Sequence, residues 1–266
     1  VIVTCRPEWE GGRFAGSEPE RLRHLADAIR LGAEYVDVEW KADRRDLPHG
    51  ESTRIVLSHH DFAGLPVDLA DRIRAMRGER PSLVKIAVTA ARLSDCLTLR
   101  DMLSGAPPHV TIAMGAPGQL TRLCPWLFGS CWTYGGAASP GQVAARDLIN
   151  RYRVRHTSAA TTIYALTGAP LGHSASPAMH NCAIAAMGLD AVYVPLETAD
   201  AGEFRTVADA IGVAGASVTA PLKQALLNHD VAADELSGRI GAVNTLKLGG
   251  QRWQGRNFDV AGFLTP

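Results

Sequence analysis

The chain has 266 residues, 46% hydrophobic and 20% charged, with 27 Lys+Arg against 27 Asp+Glu. With no run of 18 apolar residues, this excludes a disordered, collagen-like or helically membrane-spanning chain. A formal charge of +0 and no long basic block give no reason to expect nucleic acid or an anionic membrane as partner, which leaves small molecules as the expected ligands.

At roughly 150 residues per domain the length predicts about two domains. Five thinly spread cysteines (Cys5, Cys96, Cys124, Cys131, Cys182) never form a Cys-x-x-Cys pair, and are expected to be packing residues of a reducing compartment. The chain opens at Val1 inside an apolar run, without an initiator Met or a leader, so the native start is expected upstream. The expected compartment is the cytoplasm, or a plastid if a transit segment precedes Val1.

In chain order, short β-branched runs alternate with helix-like stretches. The runs are Val1–Arg6, Glu34–Glu39, Arg54–Asp61, Ser82–Val88, His109–Gly115 and Leu127–Thr133; between them lie amphipathic segments such as Glu18–Leu31 and Val67–Arg77. This predicts right-handed βαβ units on a parallel sheet. Polar residues gather at the C-terminal ends of the runs (Thr4-Cys5-Arg6, Asp37-Val38-Glu39, Ser58-His59-His60-Asp61, Lys85), where a (β/α)8 barrel keeps its chemistry. Six strands fall short of a barrel, so an incomplete one is expected, with two βα units upstream of Val1.

Arg155–Thr161 reads as a linker between domains at residues 1–157 and 162–266. Beyond it the pattern predicts strands at Ile163–Thr167, Ala191–Glu197 and Ala216–Thr219, helices at Ser176–Met187, Ala201–Ile211 and Pro221–Asn228, and a hairpin of Val243–Leu248 with Arg252–Arg256. The class is α/β throughout. No Gly-x-Gly-x-x-Gly dinucleotide fingerprint occurs.

Lys85 stands in Leu-Val-Lys-Ile-Ala-Val, a run that a parallel sheet buries on both faces. Desolvation would depress its pKa and leave free amine for Schiff-base chemistry with a ketone; a strand-end lysine reaching solvent fits the run equally. His60 ends the preceding strand and is a candidate proton shuttle, with His59 pointing to the opposite face. A metal site from His60, Asp61, Asp37 and Glu39 lacks any fixed ligand spacing.

The conjunction of Thr4-Cys5-Arg6, Glu10-Gly11-Gly12, Glu34–Glu39, Ser58–Phe62, Val84–Val88, Met114-Gly115, Arg122-Leu123 and Ser139-Pro-Gly-Gln142 resembles type I 3-dehydroquinate dehydratase over about residues 1–155. The resemblance implies that Lys85 forms an imine with the C3 ketone of 3-dehydroquinate and that His60 removes the C2 proton and then protonates the departing C1 hydroxyl. It further implies that Glu10 orients His60, that Arg122 pairs with the substrate carboxylate, and that Arg6, Ser139 and Gln142 hold hydroxyls or the carboxylate. Two departures stand out. The family's Glu-x-Arg second strand has no counterpart, and Ala138 occupies the position where the family tends to have Ser or Thr.

In the second region, Thr167–Asn181 is a strand-end loop feeding a helix, with Ser174 and Ser176 at a helix N-terminus suited to a carboxylate; an N-cap explains one serine well and both less well. Together with Gly215–Lys223, Ile240–Leu246 and Asn257–Gly262 it resembles the substrate-binding domain of shikimate dehydrogenase over about residues 162–266. That resemblance implies that Lys223 and Asp259 form an acid/base pair at the reacting C3 oxygen. Ser174 and Ser176 would bind the carboxylate, and Thr219 and Asn244 the ring hydroxyls. NADPH would reduce 3-dehydroshikimate to shikimate. Ser217 and Phe258 depart from the family's usual Asn and Thr, and the NADP-binding domain is expected outside this chain.

The order of the two regions resembles the bifunctional 3-dehydroquinate dehydratase/shikimate dehydrogenases of aromatic amino acid biosynthesis. The dehydratase half would need no cofactor, and NADP would serve the other. A non-catalytic quinate-pathway regulator built from the same modules is the competing reading; retention of Lys85, His60, Lys223 and Asp259 argues against it.

Overall fold

The computed structural model describes residues 1–48, 50, 52–105, 108–137, 141–249 and 252–264. The first half runs Ile2–Thr4 (β1), Glu18–Arg30 (α1), Tyr35–Glu39 (β2), Arg54–Asp61 (β3), Leu69–Gly78 (α2), Leu83–Thr89 (β4), Asp95–Leu103 (α3), His109–Met114 (β5), Leu120–Leu123 (α4) and Ala145–Asn150 (α5). Its strands pair in sequence order as an open, all-parallel sheet, β1-β2-β3-β4-β5.

Registered neighbours in a parallel sheet share a face, so the period of two sorts the side chains. Val36, Val38, Leu57, Val84, Ile86 and Val88 are buried on the face covered by α1, α2 and α3. The other face carries Asp37 and Glu39 of β2, Ser58 and His60 of β3 and Lys85 of β4. Below them Val56, Leu83, Val110 and Ile112 pack with Tyr35, Trp132 and Tyr134.

The expected sixth strand, Leu127–Thr133, does not form. Pro125–Phe128 is a 3-10 turn, and Gly129 follows in a left-handed conformation (φ 63°) that breaks an extended run. Ser130 then makes one bridge with His109, and its hydroxyl accepts the Thr111 N–H at 2.9 Å, a donor that a neighbouring strand's carbonyl would otherwise take.

The second half runs Thr162–Gly168 (β6), Ser176–Ala186 (α6), Ala191–Glu197 (β7), Ala201–Ile211 (α7), Val213–Val218 (β8), Leu222–Ala225 (α8), Val231–Ala233 (β9), Glu235–Ile240 (α9), Thr245–Gly249 (β10), Arg252–Arg256 (β11) and Asp259–Leu264 (α10). Its sheet is mixed, in the order β7-β6-β8-β10-β11-β9, with β10 antiparallel to β8 and β11. The hairpin's first strand starts two residues late, its second falls at Arg252–Arg256 as expected, and the expected helix at Pro221–Asn228 splits into α8 and a 3-10 turn. β9, α9 and α10 were not expected: β9 is three residues long, and α9 holds Gly238, which weakens a helical signal.

Cys96 and Cys124 are buried, but Cys131 and Cys182 are exposed. The expectation that all five pack inside therefore fails. No helix among the described residues is long and apolar enough to cross a membrane.

One apolar core runs through both halves. Leu93, Cys96 and Leu99 beside α3 join Phe204, Val207 and Ala208 of α7 in a single cluster. Glu203 clamps the seam. Its Oε1 accepts from the Ser94 amide (2.9 Å) and hydroxyl (2.7 Å), and its Oε2 from Thr198 Oγ1 at 2.5 Å. Burial opposes its ionisation, but these donors outweigh it and hold the carboxyl below its ordinary range. Glu203→Ala leaves these three donors, and Arg92 Nε at 3.3 Å, without their acceptor and is expected to cost about 2 kcal/mol, lowering the thermal midpoint by roughly 4–8 °C. Calorimetry showing an unchanged midpoint would contradict the clamp.

Candidate active sites

Lys85 lies in the middle of β4, a strand buried almost throughout, and is itself 7% exposed. Its Nζ donates to Asp37 Oδ2 at 2.8 Å and stands 4.7 Å from the centre of the Tyr134 ring. Burial is the largest influence and holds the amine below its ordinary value near 10.5, with Asp37 opposing and Arg6 adding to it. Asp37 is fully buried; Lys85 and Arg6 overcome the burial cost and hold its carboxyl well below the usual range.

Arg6 follows β1 and is more enclosed than expected of a substrate contact. Its Nη2 donates to Asp37 Oδ1 (2.7 Å), and its Nη1 to Glu39 Oε1 (2.5 Å) and Ser58 Oγ (2.9 Å). Ser58 in turn donates to Asp37 Oδ1 at 2.6 Å. Glu39 also pairs with the buried Arg21 of α1 at 2.5 Å. Asp37 and Glu39 thus serve as counter-ions for Arg6, Arg21 and Lys85. That occupies the oxygens the metal alternative needed, and among the described residues no cluster of three or more ligand-type side chains is placed for a metal.

His60 ends β3. Its Nδ1 lies 2.8 Å from Glu10 Oε2; a carboxylate only accepts, so Nδ1 carries the hydrogen and Nε2 of the neutral ring is the free base. Burial pushes His60 down to about 4, aided by Lys85 and Arg6 and opposed by Glu10. Glu10 is 5% exposed. Burial opposes its ionisation, but the imidazoles of His59 and His60 outweigh it and hold it below its ordinary value. Its position is fixed by Gly11 and Gly12: a Cβ on Gly11 would meet the Phe62 ring at 2.2 Å, and one on Gly12 the Arg6 carbonyl at 2.0 Å.

Arg122, on α4, is 2% exposed; burial lowers it to about 10, and its Nη1 donates to the Tyr134 carbonyl at 3.4 Å. Tyr134 therefore stands between the Arg122 guanidinium and the Lys85 amine. Gln142 sits above Gly136, whose added Cβ would come 3.2 Å from its carboxamide. It also lines a cavity of about 250 Å³ between the two halves, shared with Ser174 and Glu197. Ser139 and Ala138 fall outside the described residues.

In the second half, Ser174, Ser176, Thr219, Lys223, Asn244 and Asp259 come together around one cavity of about 290 Å³, with Ser217 on its wall. Lys223 Nζ donates to Asp259 Oδ2 at 2.5 Å, and Asn244 Nδ2 to Asp259 Oδ1 at 2.8 Å. Lys223 and then Asn244 hold the Asp259 carboxyl below its ordinary value. Neither serine caps α6: the capping position is Ala175, while Ser174 Oγ accepts the Ser176 amide at 3.2 Å. Phe258 is exposed and takes part only through its amide, which donates to Asn244 Oδ1 at 3.1 Å. Gly168 makes the close approach behind this cavity, since a Cβ there would meet Thr219 Cγ2 at 2.4 Å.

The partners that sequence reasoning missed are Asp37 as the lysine's counter-ion, Tyr134 under its amine, and Asn257, whose Oδ1 accepts the Asp259 amide at 3.0 Å. Asp37 was visible only as a strand-end acid; its partner depends on the register of three strands.

Residues 1–159 match the family described as type I 3-dehydroquinase, and residues 166–246 match the shikimate dehydrogenase substrate binding domain. The chain is 31% identical over 280 residues to a bifunctional 3-dehydroquinate dehydratase/shikimate dehydrogenase, chloroplastic, of Arabidopsis thaliana, an alignment that takes in 100% of this chain and 46% of that relative. It is 34% identical over 165 residues to a 3-dehydroquinate dehydratase of Lactococcus lactis, covering 56% of this chain and 69% of the other. The solved dehydroquinate dehydratase and shikimate dehydrogenase of S. pombe AroM aligns with a TM-score of 0.51 and 27% identity, over 98% of this chain and 53% of that one. The chain thus spans about half the length of its two-activity relatives.

The depressed His60 has a consequence for stability. Between its ordinary value near 6.5 and about 4 the unfolded chain takes up a proton that the folded one refuses. Stability therefore falls as pH is lowered through that window, by roughly 3 kcal/mol from this residue, and the loss levels off below it. Urea titrations from pH 7 to 4 check this, with His60→Asn expected to flatten the slope.

Proposed function

We propose, for a chain that belongs to the type I 3-dehydroquinase family and continues into a shikimate dehydrogenase substrate binding domain, that the first sheet dehydrates 3-dehydroquinate to 3-dehydroshikimate and the second half binds 3-dehydroshikimate and shikimate. The observation that carries the reading is a lysine amine buried beside its counter-ion on the same sheet face as a carboxylate-oriented imidazole.

The first step is attack of the Lys85 amine on the C3 ketone; the carbinolamine loses water to give a protonated imine. Asp37 takes part as the fixed negative charge on which the cationic nitrogen rests. The iminium withdraws electrons from C2, and Nε2 of His60 removes the C2 proton to give an enamine. The enamine expels the C1 hydroxyl, which leaves as water with the proton His60 had gained. Hydrolysis of the remaining imine consumes one water and frees Lys85. Over the cycle one water is lost. Glu10 keeps the His60 Nδ1–H in place through both transfers, as a carboxylate orients imidazole elsewhere. Arg122, whose guanidinium can bind a carboxylate through two donors, is assigned the substrate carboxylate, with Gln142 and Ser139 on the remaining polar groups, while Arg6 is held by Asp37, Glu39 and Ser58.

For the second half, Ser174 and Ser176 are assigned the ligand carboxylate, Thr219 and Asn244 the ring hydroxyls, and Lys223 with Asp259 the proton at the C3 oxygen. Shikimate dehydrogenases use NADP, whose reduced form would supply hydride. The sequence has no Gly-x-Gly pair anywhere and the cavity residues form no nucleotide cradle, so these residues do not fit that cofactor and no hydride step is assigned to them. The assigned boundary between the two units lies between residues 157 and 162.

Borohydride added with 3-dehydroquinate is expected to leave a mass adduct on Lys85 and none in Lys85→Met. His60→Ala is expected to keep the adduct while turnover drops about 10²–10⁴-fold. An unmodified Lys85 with ligand still bound would overturn the enzyme reading. For the second cavity, calorimetry with shikimate is expected to show Ser174→Ala and Lys223→Ala each weakening binding by about 5- to 30-fold. Equal affinity in all three proteins would remove the assignment.

A further inference from the structure

His59 points away from His60 on the strand, yet both imidazoles reach the same carboxylate. The His59 side chain is 3% exposed. Its Nε2 lies 3.2 Å from Nη1 of Arg72 on α2, and its Nδ1 lies 3.7 Å from Glu10 Oε1. Glu10 Oε1 and His59 Nδ1 are both buried without a hydrogen-bond partner, and they face each other. A buried orphan donor or acceptor costs about 1–3 kcal/mol, so two complementary ones gain by closing the remaining gap.

The chemistry of the neighbours fixes the protons. Arginine only donates, so Nε2 of His59 must accept; the neutral ring then carries its hydrogen on Nδ1, aimed at Glu10. Turning the ring over would put carbons against both partners and lose both contacts. Arg72 is anchored in turn by Asp68, at 3.0 Å through Nε and 2.9 Å through Nη2, and stands 4.0 Å from Asp61. A cavity of about 330 Å³ is lined by this group, Glu10, His59, His60 and Arg72, together with Trp9, Lys41 and Phe62.

We propose that Arg72, by donating to Nε2 of His59, locks that ring in its neutral Nδ1–H form, and that His59 is thereby a positioning residue, a second hydrogen-bond donor that holds the Glu10 carboxylate square to His60. This deepens the dehydratase reading, on which the role of His60 rests. Each Glu10 oxygen then has its own imidazole donor, and the carboxylate cannot rotate away when His60 gains and returns a proton. The groups facing the pair are Arg72 from α2 and Asp68 at its N-terminal cap, Asp61 from β3, Lys85 from β4, Asp37 from β2, and Arg6.

Long-range ¹H–¹⁵N correlation of the imidazoles in the full chain tests this without substrate. At neutral pH the His59 resonances are expected to show a protonated Nδ1 and a bare Nε2, and Arg72→Met to move them toward the Nε2–H form. Loss of the second donor concentrates the Glu10 charge on His60, so in His59→Phe the His60 midpoint is expected to rise from about 4 by roughly one pH unit, and His59→Gln, which can still donate, to restore it. A purely packing role would leave that midpoint unmoved in His59→Phe. Such a result, or an Nε2–H or doubly protonated His59 in the unaltered chain, overturns the proposal. Both readouts stand whether or not borohydride traps a ligand on Lys85, so failure of the dehydratase reading and failure of this one are told apart.

Discussion

An ammonium and a carboxylate facing each other at 2.8 Å, both out of water, set the terms for the rest of the first half. Removing either partner alone leaves an uncompensated buried charge, which is far costlier than the pair itself. The sheet meets this constraint with a ring of further charges rather than with solvent. Arg6 bridges Asp37 and Glu39, Arg21 closes on Glu39 from α1, and Ser58 occupies the gap. Such an arrangement needs three strands in fixed register, which only a parallel sheet buried on its other face supplies. The chemistry assigned to Lys85 is therefore inseparable from the packing of Val36, Val38, Leu57 and Val84 behind it.

The two halves differ in how they keep an ionisable pair. Lys85 and Asp37 are walled in; burial holds the amine down, while Lys85 and Arg6 overcome burial at the carboxylate. Lys223 and Asp259 meet at 2.5 Å at the rim of an open cavity, where the contact owes its order to Asn244 and Asn257. Solvent screens the second pair, and burial costs it little. In the proposed dehydration the first pair leaves the proton transfers to His60, held by Glu10.

Much of the fold was legible because hydrophobic periodicity survives in isolation: β2, β3, β7 and α7 lie within a residue of where the runs place them. Leu127–Thr133 was misread because its composition is strand-like while its boundaries are not; Pro125 and Gly129 commit the chain to a turn before pairing can begin. The site residues were legible as motifs but not as a network. Nothing in a linear reading joins Asp37 to Lys85 across 48 positions, or shows that Arg6, expected on substrate hydroxyls or the carboxylate, donates instead to Asp37, Glu39 and Ser58. The left-over histidine was passed over for the same reason. His59 gains meaning only once the α2 arginine is seen beneath it.

The clamp at Glu203 bears on how this chain tolerates change. Because α3 and α7 share one interior, an unfavourable replacement on either side of that joint is felt as reduced yield of the entire polypeptide, not of the half that carries it. Drift in one pocket is therefore restrained by the needs of the other, and the pair travels through selection as a single heritable unit.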